Sequence, residues 1–219
     1  KWLDKGSFTA AYQNIKESRI DRKFDSFDRS SKFEKVQVFS LNGDFTKNLD
    51  PNVRRNFGYG FEVAYNDVNS TSKGEVLDVI GNDIVGVKDN YVVQTRYPDG
   101  GSSYLSSAVY ASYRQDIGKK STLNTGLRLT NTVLTAKWID TTYISLPDSD
   151  IRTMNTSVTV TAGYAYRPTD DWQVNGVLSS GFRSPNIDDI GKVREKNGDV
   201  TVPNVDLEPE FAYNFEAGL

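Results

Sequence analysis

The residues best placed to do chemistry gather late in the chain. Arg183 precedes the acidic pair Asp188 and Asp189, with Asn186 between them and Asn204 beyond. A guanidinium presents a planar fork of donors, so Arg183 fits bidentate recognition of a carboxylate or phosphate. The same fork could instead pair with Asp188 or Asp189 and hold the shape of its own loop. Asp188 and Asp189, like Asp148 and Asp150 earlier, offer oxygens of the kind calcium takes, but neither group has the spacing of a full ligand set. Arg183, Asn186, Asp188, Asp189 and Asn204 form the candidate ligand-binding set. No catalytic residue, metal site or cofactor is assigned.

Composition removes the usual catalytic machinery. The 219 residues contain no histidine and no cysteine. Triads, zinc spacings and thiolate chemistry are therefore excluded from this chain. No glycine-rich phosphate loop opens a helix. A formal charge of -3, from 26 basic and 29 acidic residues, gives no field suited to nucleic acid. An enzyme is not expected. No apolar run approaches the ~20 residues of a membrane helix, and mean hydropathy is -0.54. Alternating barrel strands average out as polar, so a membrane β-barrel stays open.

What must position these residues is a series of strands. Alternation with period two recurs over Ser7–Arg19, Glu34–Thr46, Asn56–Val68, Leu105–Asp116, Ser121–Trp138, Met154–Arg167, Asp171–Phe182 and Phe211–Leu219. The clearest run places Phe57, Tyr59, Phe61, Val63 and Tyr65 on one face, with Glu62 and Asn66 on the other. Opposite faces are polar and glycine-rich, as in a filled or watery lumen, though a half-solvated sheet has the same alternation. Aromatics stand beside the short connections: Phe45 and Phe57, Tyr113, and Tyr166 with Trp172. Connections alternate too, roughly 14, 36, 15 and 28 residues against roughly 9, 4 and 3, as outer loops alternate with periplasmic turns. Within the longest, Val76–Ile80 and Tyr91–Tyr97 suggest a hairpin.

Two boxes carry a resemblance. FRSP, Phe182 to Pro185, closes one strand; NVDLEPE, Asn204 to Glu210, opens the next. Pro185 turns the chain, and Pro203 and Pro209 bracket a segment that cannot donate fully to a ladder. The pair resembles the FRAP-type and NPxLxPE-type boxes of TonB-dependent outer-membrane receptors, with Val205 where that family usually has proline. The resemblance implies an all-β, antiparallel, up-and-down transmembrane barrel segment of about eight strands, roughly a third of a ~22-strand barrel. Residues 1–219 are then expected to be a partial barrel domain, without the plug. The implied role is binding and import of a scarce nutrient such as a siderophore or metal chelate across the bacterial outer membrane. Implied partners are the plug, the TonB complex, the nutrient and outer-membrane lipid, with no nucleic acid. Haem receptors of this kind carry a ligand histidine between the boxes; residues 186–203 have none. Two alternatives remain: a complete small eight-stranded barrel with a structural or adhesive role, whose first and last strands pair, and a soluble lipocalin-like binding module whose stripes point inward.

Overall fold

A computed structural model describes residues 2–141, 146, 149–191, 193–196 and 199–219; for 194–196 and 200 it describes backbone only. The strands are β1 (Lys5–Arg22), β2 (Asp28–Asn48), β3 (Arg55–Ile80), β4 (Asp83–Tyr91), β5 (Ser102–Ile117), β6 (Ser121–Lys137), β7 (Asp150–Tyr166) and β8 (Val174–Arg183). A single helical turn, α1 (Ile187–Ile190), follows, then β9 (Arg194–Lys196), β10 (Asp199–Thr201) and β11 (Glu210–Gly218). One nine-stranded antiparallel sheet runs β1-β2-β3-β5-β6-β7-β8-β11, with β4 attached to the outer part of β3 and β9–β10 a separate ribbon. Each strand on the main path pairs with its sequence neighbour once β4 and the β9–β10 ribbon are set aside, so the meander is up-and-down.

Register explains why the predicted stripes hold together. Tyr12 pairs with Phe39, Phe39 with Tyr65 and Tyr65 with Leu105. Further along the sheet, Val109 pairs with Leu129, Leu129 with Val158, and Leu178 with Phe215. Side chains at paired positions share a face, so every apolar stripe lies on the same one. Among the described residues nothing covers that face: Val109, Leu127, Val158, Leu178 and Phe215 are all more than half exposed. The lipocalin-like alternative needs these stripes buried, and they are not. Aromatics near the β2–β3 turn stack with one another, Phe45 on Tyr59 at 5.3 Å and Phe57 on Tyr59 at 5.7 Å between ring centroids. Gly43 makes room for the Phe61 ring, which a Cβ there would overlap.

No ladder joins β1 to β11 among the described residues, so the sheet is open and the closed small barrel is not formed. Two expectations need correction. The strands run longer than the alternation predicted, because residues 20–22, 28–33 and 69–80 continue the ladder without the alternating apolar stripe that marks the predicted runs. The β1–β2 connection shrinks to residues 23–27, no longer than the 49–54 turn at the other end. The asymmetry between ends therefore lies in strand overhang as much as in loop length. The hairpin is also displaced: β3 pairs with β4 across Gly81 and Asn82, whereas 92–97 is not a strand. Gly81, at φ +65°, supplies the left-handed first position of that two-residue turn.

The buried core is small and sits at the outer end of the polar face. Leu134, Ala136, Trp138, Ile151, Ile190 and Val193 form it, with Tyr104, Leu146, Ile187, Val205 and Leu207 packed around. Val205 and Leu207 come from NVDLEPE and Ile187 from the segment after FRSP. Both boxes thus fold down onto β6 and β7.

Candidate functional site

FRSP ends β8 where the sheet splits. The β7–β8 ladder runs only from Tyr166↔Val174 to Thr161↔Ser179, although β7 continues back to Asp150 and β8 on to Arg183. At the point of separation the Ser180 hydroxyl takes the place of a strand partner, accepting from the Val160 N–H at 2.9 Å. Beyond it β8 stays with β11, Arg183 opposite Glu210. The parted ends leave a groove of about 480 Å³ on the polar face, lined by Tyr104, Ser106, Arg128, Thr159 and Arg183 among others.

Ser184 fastens the outer end of this groove. Its hydroxyl accepts from Thr132 Oγ1 on β6 at 2.9 Å and from Asn155 Nδ2 on β7 at 3.1 Å. One side chain of the box thereby bridges two strands that β8 has left.

The predicted set is engaged internally. Arg183 Nη2 donates to both carboxylate oxygens of Asp189, at 2.8 and 2.7 Å, and Arg183 Nη1 lies 3.6 Å from Glu210. Asn186 caps α1: its Oδ1 accepts from the N–H groups of Asp188 and Asp189, and Asp189 accepts from the Asn186 N–H at 3.0 Å. This reciprocal cap satisfies donors that a helix end leaves orphaned. Asn204 donates its N–H to Ile190 O and accepts from Asp206 N–H, which ties NVDLEPE to the same turn. The alternative in which Arg183 holds the shape of its loop is the arrangement found, with Asp189 as partner. Burial works to raise the Asp189 pKa, but the Asn186 N–H and the Arg183 guanidinium outweigh it and hold the carboxyl below its usual range. Asp188 instead faces Tyr97, whose phenol is pushed up by burial first and by that carboxylate second. Asp148 lies outside the described residues.

Sequence reasoning missed the residues that lace the polar face. Arg128 on β6 reaches over β5 to Glu62 on β3 at 3.1 Å, and its guanidinium lies 5.7 Å from the Tyr110 ring centre. Tyr110 on β5 donates to Asp44 on β2, passing across Gly60. All four were legible as polar-face positions; their partners, two strands away, depend on register that alternation alone does not fix. The loop 92–101 was missed as well. Ser72 Oγ donates to Val93 O, and Tyr97 N–H donates to Ser70 Oγ at 3.4 Å, so the loop folds over the polar face. Asp99 accepts from the N–H groups of Ile139 and Asp140, both at 2.9 Å, linking it to the β6–β7 connection.

Comparison with known proteins bears on this arrangement as a whole. The family model described as TonB dependent receptor-like, beta-barrel, matches residues 1–219. No match is found among curated proteins. Among solved structures, the copper transporter OprC is similar over 99% of this chain and 33% of its own, at 14% identity and a TM-score of 0.74. The ferric yersiniabactin uptake receptor FyuA from Yersinia pestis is similar over 97% and 30%, at 15% identity and 0.59. The Serratia marcescens haemophore receptor HasR, solved with its haemophore HasA and haem, is similar over 97% and 36%, at 14% identity and 0.60. The chain spans about a third of the length of each.

Proposed function

We propose, from the premise that the chain belongs to the TonB-dependent receptor-like β-barrel family, that it forms about a third of the wall of a bacterial outer-membrane nutrient receptor. The observation that carries this reading is the division of one continuous sheet into two faces. An unbroken apolar face with stacked aromatics near the short turns suits lipid, and a laced polar face suits a filled lumen. The β1 and β11 edges would pair with the rest of the barrel, and a plug supplied by another part of the receptor would lie against the polar face. In whole receptors of this kind the TonB complex acts through the plug. The role is that of a receptor and transporter, not an enzyme.

The overhanging ends of β2, β3, β6 and β7, with the loop at 92–101 and the segments 184–191 and 201–209, would stand outside the cell. The ligand on this reading is a scarce nutrient such as a siderophore, a metal chelate or a similar compound. OprC, FyuA and HasR are named for copper, ferric yersiniabactin and a haem-carrying protein. Arg183 lines the groove, while Asn186, Asp188, Asp189 and Asn204 hold the loop at its outer end. The set borders the ligand and keeps that border rigid.

The test is genetic and physical together. The full-length gene is deleted and restored in cells with and without TonB, under limitation for iron, copper and carbon in turn, with the receptor tracked by membrane fractionation. Growth that needs both the receptor and TonB, from an outer-membrane protein, is the expected result. Receptor found in the cytoplasm or inner membrane overturns the reading.

A further inference from the structure

The groove between β7 and β8 contains two arginines, yet it offers almost no unbalanced charge. Arg128 is paired with Glu62 at 3.1 Å, and Arg183 with Asp189 at 2.7 Å and Glu210 at 3.6 Å. An arriving carboxylate or phosphate would meet guanidiniums already neutralised. It would have to displace Glu62 or Asp189, exchanging one ion pair for another. A cationic group would find the same carboxylates already occupied.

The hydroxyls are in the opposite condition. Tyr104, Ser106 and Thr159 line the groove, and none of their hydroxyls is committed to a side-chain hydrogen bond among the described residues. Each can donate one hydrogen bond and accept others. The volume of about 480 Å³ lies within the roughly 300–1,000 Å³ of small-molecule sites. Ser184, held by Thr132 and Asn155, fixes the position of the groove's outer end.

Deepening the receptor reading, on which it rests, we propose that this groove takes an uncharged, hydroxyl- and carbonyl-bearing ligand surface. That chemistry is found on a saccharide and on the neutral rim of a metal chelate. Tyr104, Ser106 and Thr159 make the contacts. Arg128 and Arg183 stay in their ion pairs and frame the groove.

The test uses the full-length receptor in a zwitterionic detergent without sugar headgroups, titrated calorimetrically with three probes. These are maltohexaose, a neutral trihydroxamate ferric chelate, and anionic ferric citrate. One neutral probe is expected to bind, and which one decides between the two sources. Its Kd should change less than twofold between low and high salt, because no exposed charge pair forms. Ser106→Ala and Thr159→Val should each raise that Kd about tenfold without moving the melting temperature. Binding of ferric citrate that weakens steeply with salt overturns the proposal, as does failure of both neutral probes to bind. Unchanged affinity in both variants overturns it too, and a plug newly open to protease would then give the groove to the plug. TonB-dependent uptake assayed on the same strains separates the two levels. Uptake of the charged probe alone removes the groove assignment and leaves the receptor standing, whereas a receptor misplaced from the outer membrane removes both.

Discussion

Tyr110 on β5 donates its hydroxyl hydrogen to Asp44 on β2, and it reaches there only because Gly60 on the intervening strand has no side chain. A Cβ at Gly60 would overlap both the Tyr110 phenol and the Gly43 carbonyl. Gly60→Ala is therefore expected to destabilise the sheet by about 1–3 kcal/mol, the range for overpacking. Tyr110→Phe added to it should recover only part, because the ring Cζ and the Gly43 carbonyl both stay in place. Thermal unfolding in detergent compares the parent with the single and the double variant; full recovery in the double variant would assign the whole clash to the Tyr110 hydroxyl.

Ser184 holds the loop after β8 to β6 and β7 through Thr132 and Asn155. Ser184→Ala leaves the buried Thr132 and the half-buried Asn155 without this acceptor and should cost about 1–3 kcal/mol. The loss should be local. Amide exchange across 184–191 is expected to quicken while β2–β3 protection stays unchanged. Uniform quickening across the sheet would place Ser184 in the global fold instead.

Acid should release the same loop. A carboxyl held below its ordinary pKa contributes stability that is present above the ordinary value, about 4 for Asp, and is lost as pH falls through the folded value. Asp189 is such a group. Trp138 packs with Ile190 and is 3% exposed, whereas Trp2 and Trp172 are 71% and 57% exposed. A red shift in tryptophan emission below about pH 4 therefore reports Trp138 leaving its site. Asp189→Asn should show the shifted emission already at neutral pH, and an unshifted spectrum there would disconnect the carboxylate from the packing beneath it.

How much of this was legible in the residues depended on what each side chain had to be near. Phe57, Tyr59, Phe61, Val63 and Tyr65 alternate visibly because every second position meets one apolar environment, and the face they mark is the face observed. Thr71, Lys73 and Glu75 continue the same strand with no such environment, so nothing in their order announced it. Arg183 and Asp189 are six residues apart and their pairing was one of two options in view. Arg128 and Glu62 lie 66 residues apart, and only the assembled register brings them together. The outer core escaped for a related reason. Leu134, Ala136 and Ile151 occupy polar-face positions, and they are buried only because the two boxes fold over them.

The exposed stripes make a prediction for the 219-residue chain on its own. Contiguous apolar surface beyond several hundred Å² seldom survives on a soluble monomer, and burying it gains roughly 25 cal/mol per Å². The open β1 and β11 edges add a second route to association. The chain is expected to self-associate in buffer and to disperse in detergent. Phe61→Lys should reduce the association and leave the sheet folded, since its face is uncovered. Light scattering with circular dichroism checks both; a detergent-free monomer that Phe61→Lys unfolds would return the protein to the soluble class.

The 26 residues of β3 have a consequence for how the cell surface is met. At about 3.3 Å per residue and a tilt of about 40°, such a strand climbs roughly 65 Å. The apolar band of an outer-membrane barrel takes up only about 25 Å of that. If, as proposed, residues 49–54 face the periplasm, the Gly81–Asn82 tip would stand some 40 Å above the hydrocarbon (about the difference of those two heights). On the proposed receptor reading it would clear the lipid headgroups. An antibody or a phage tail fibre would touch this tip before it touched anything near the groove.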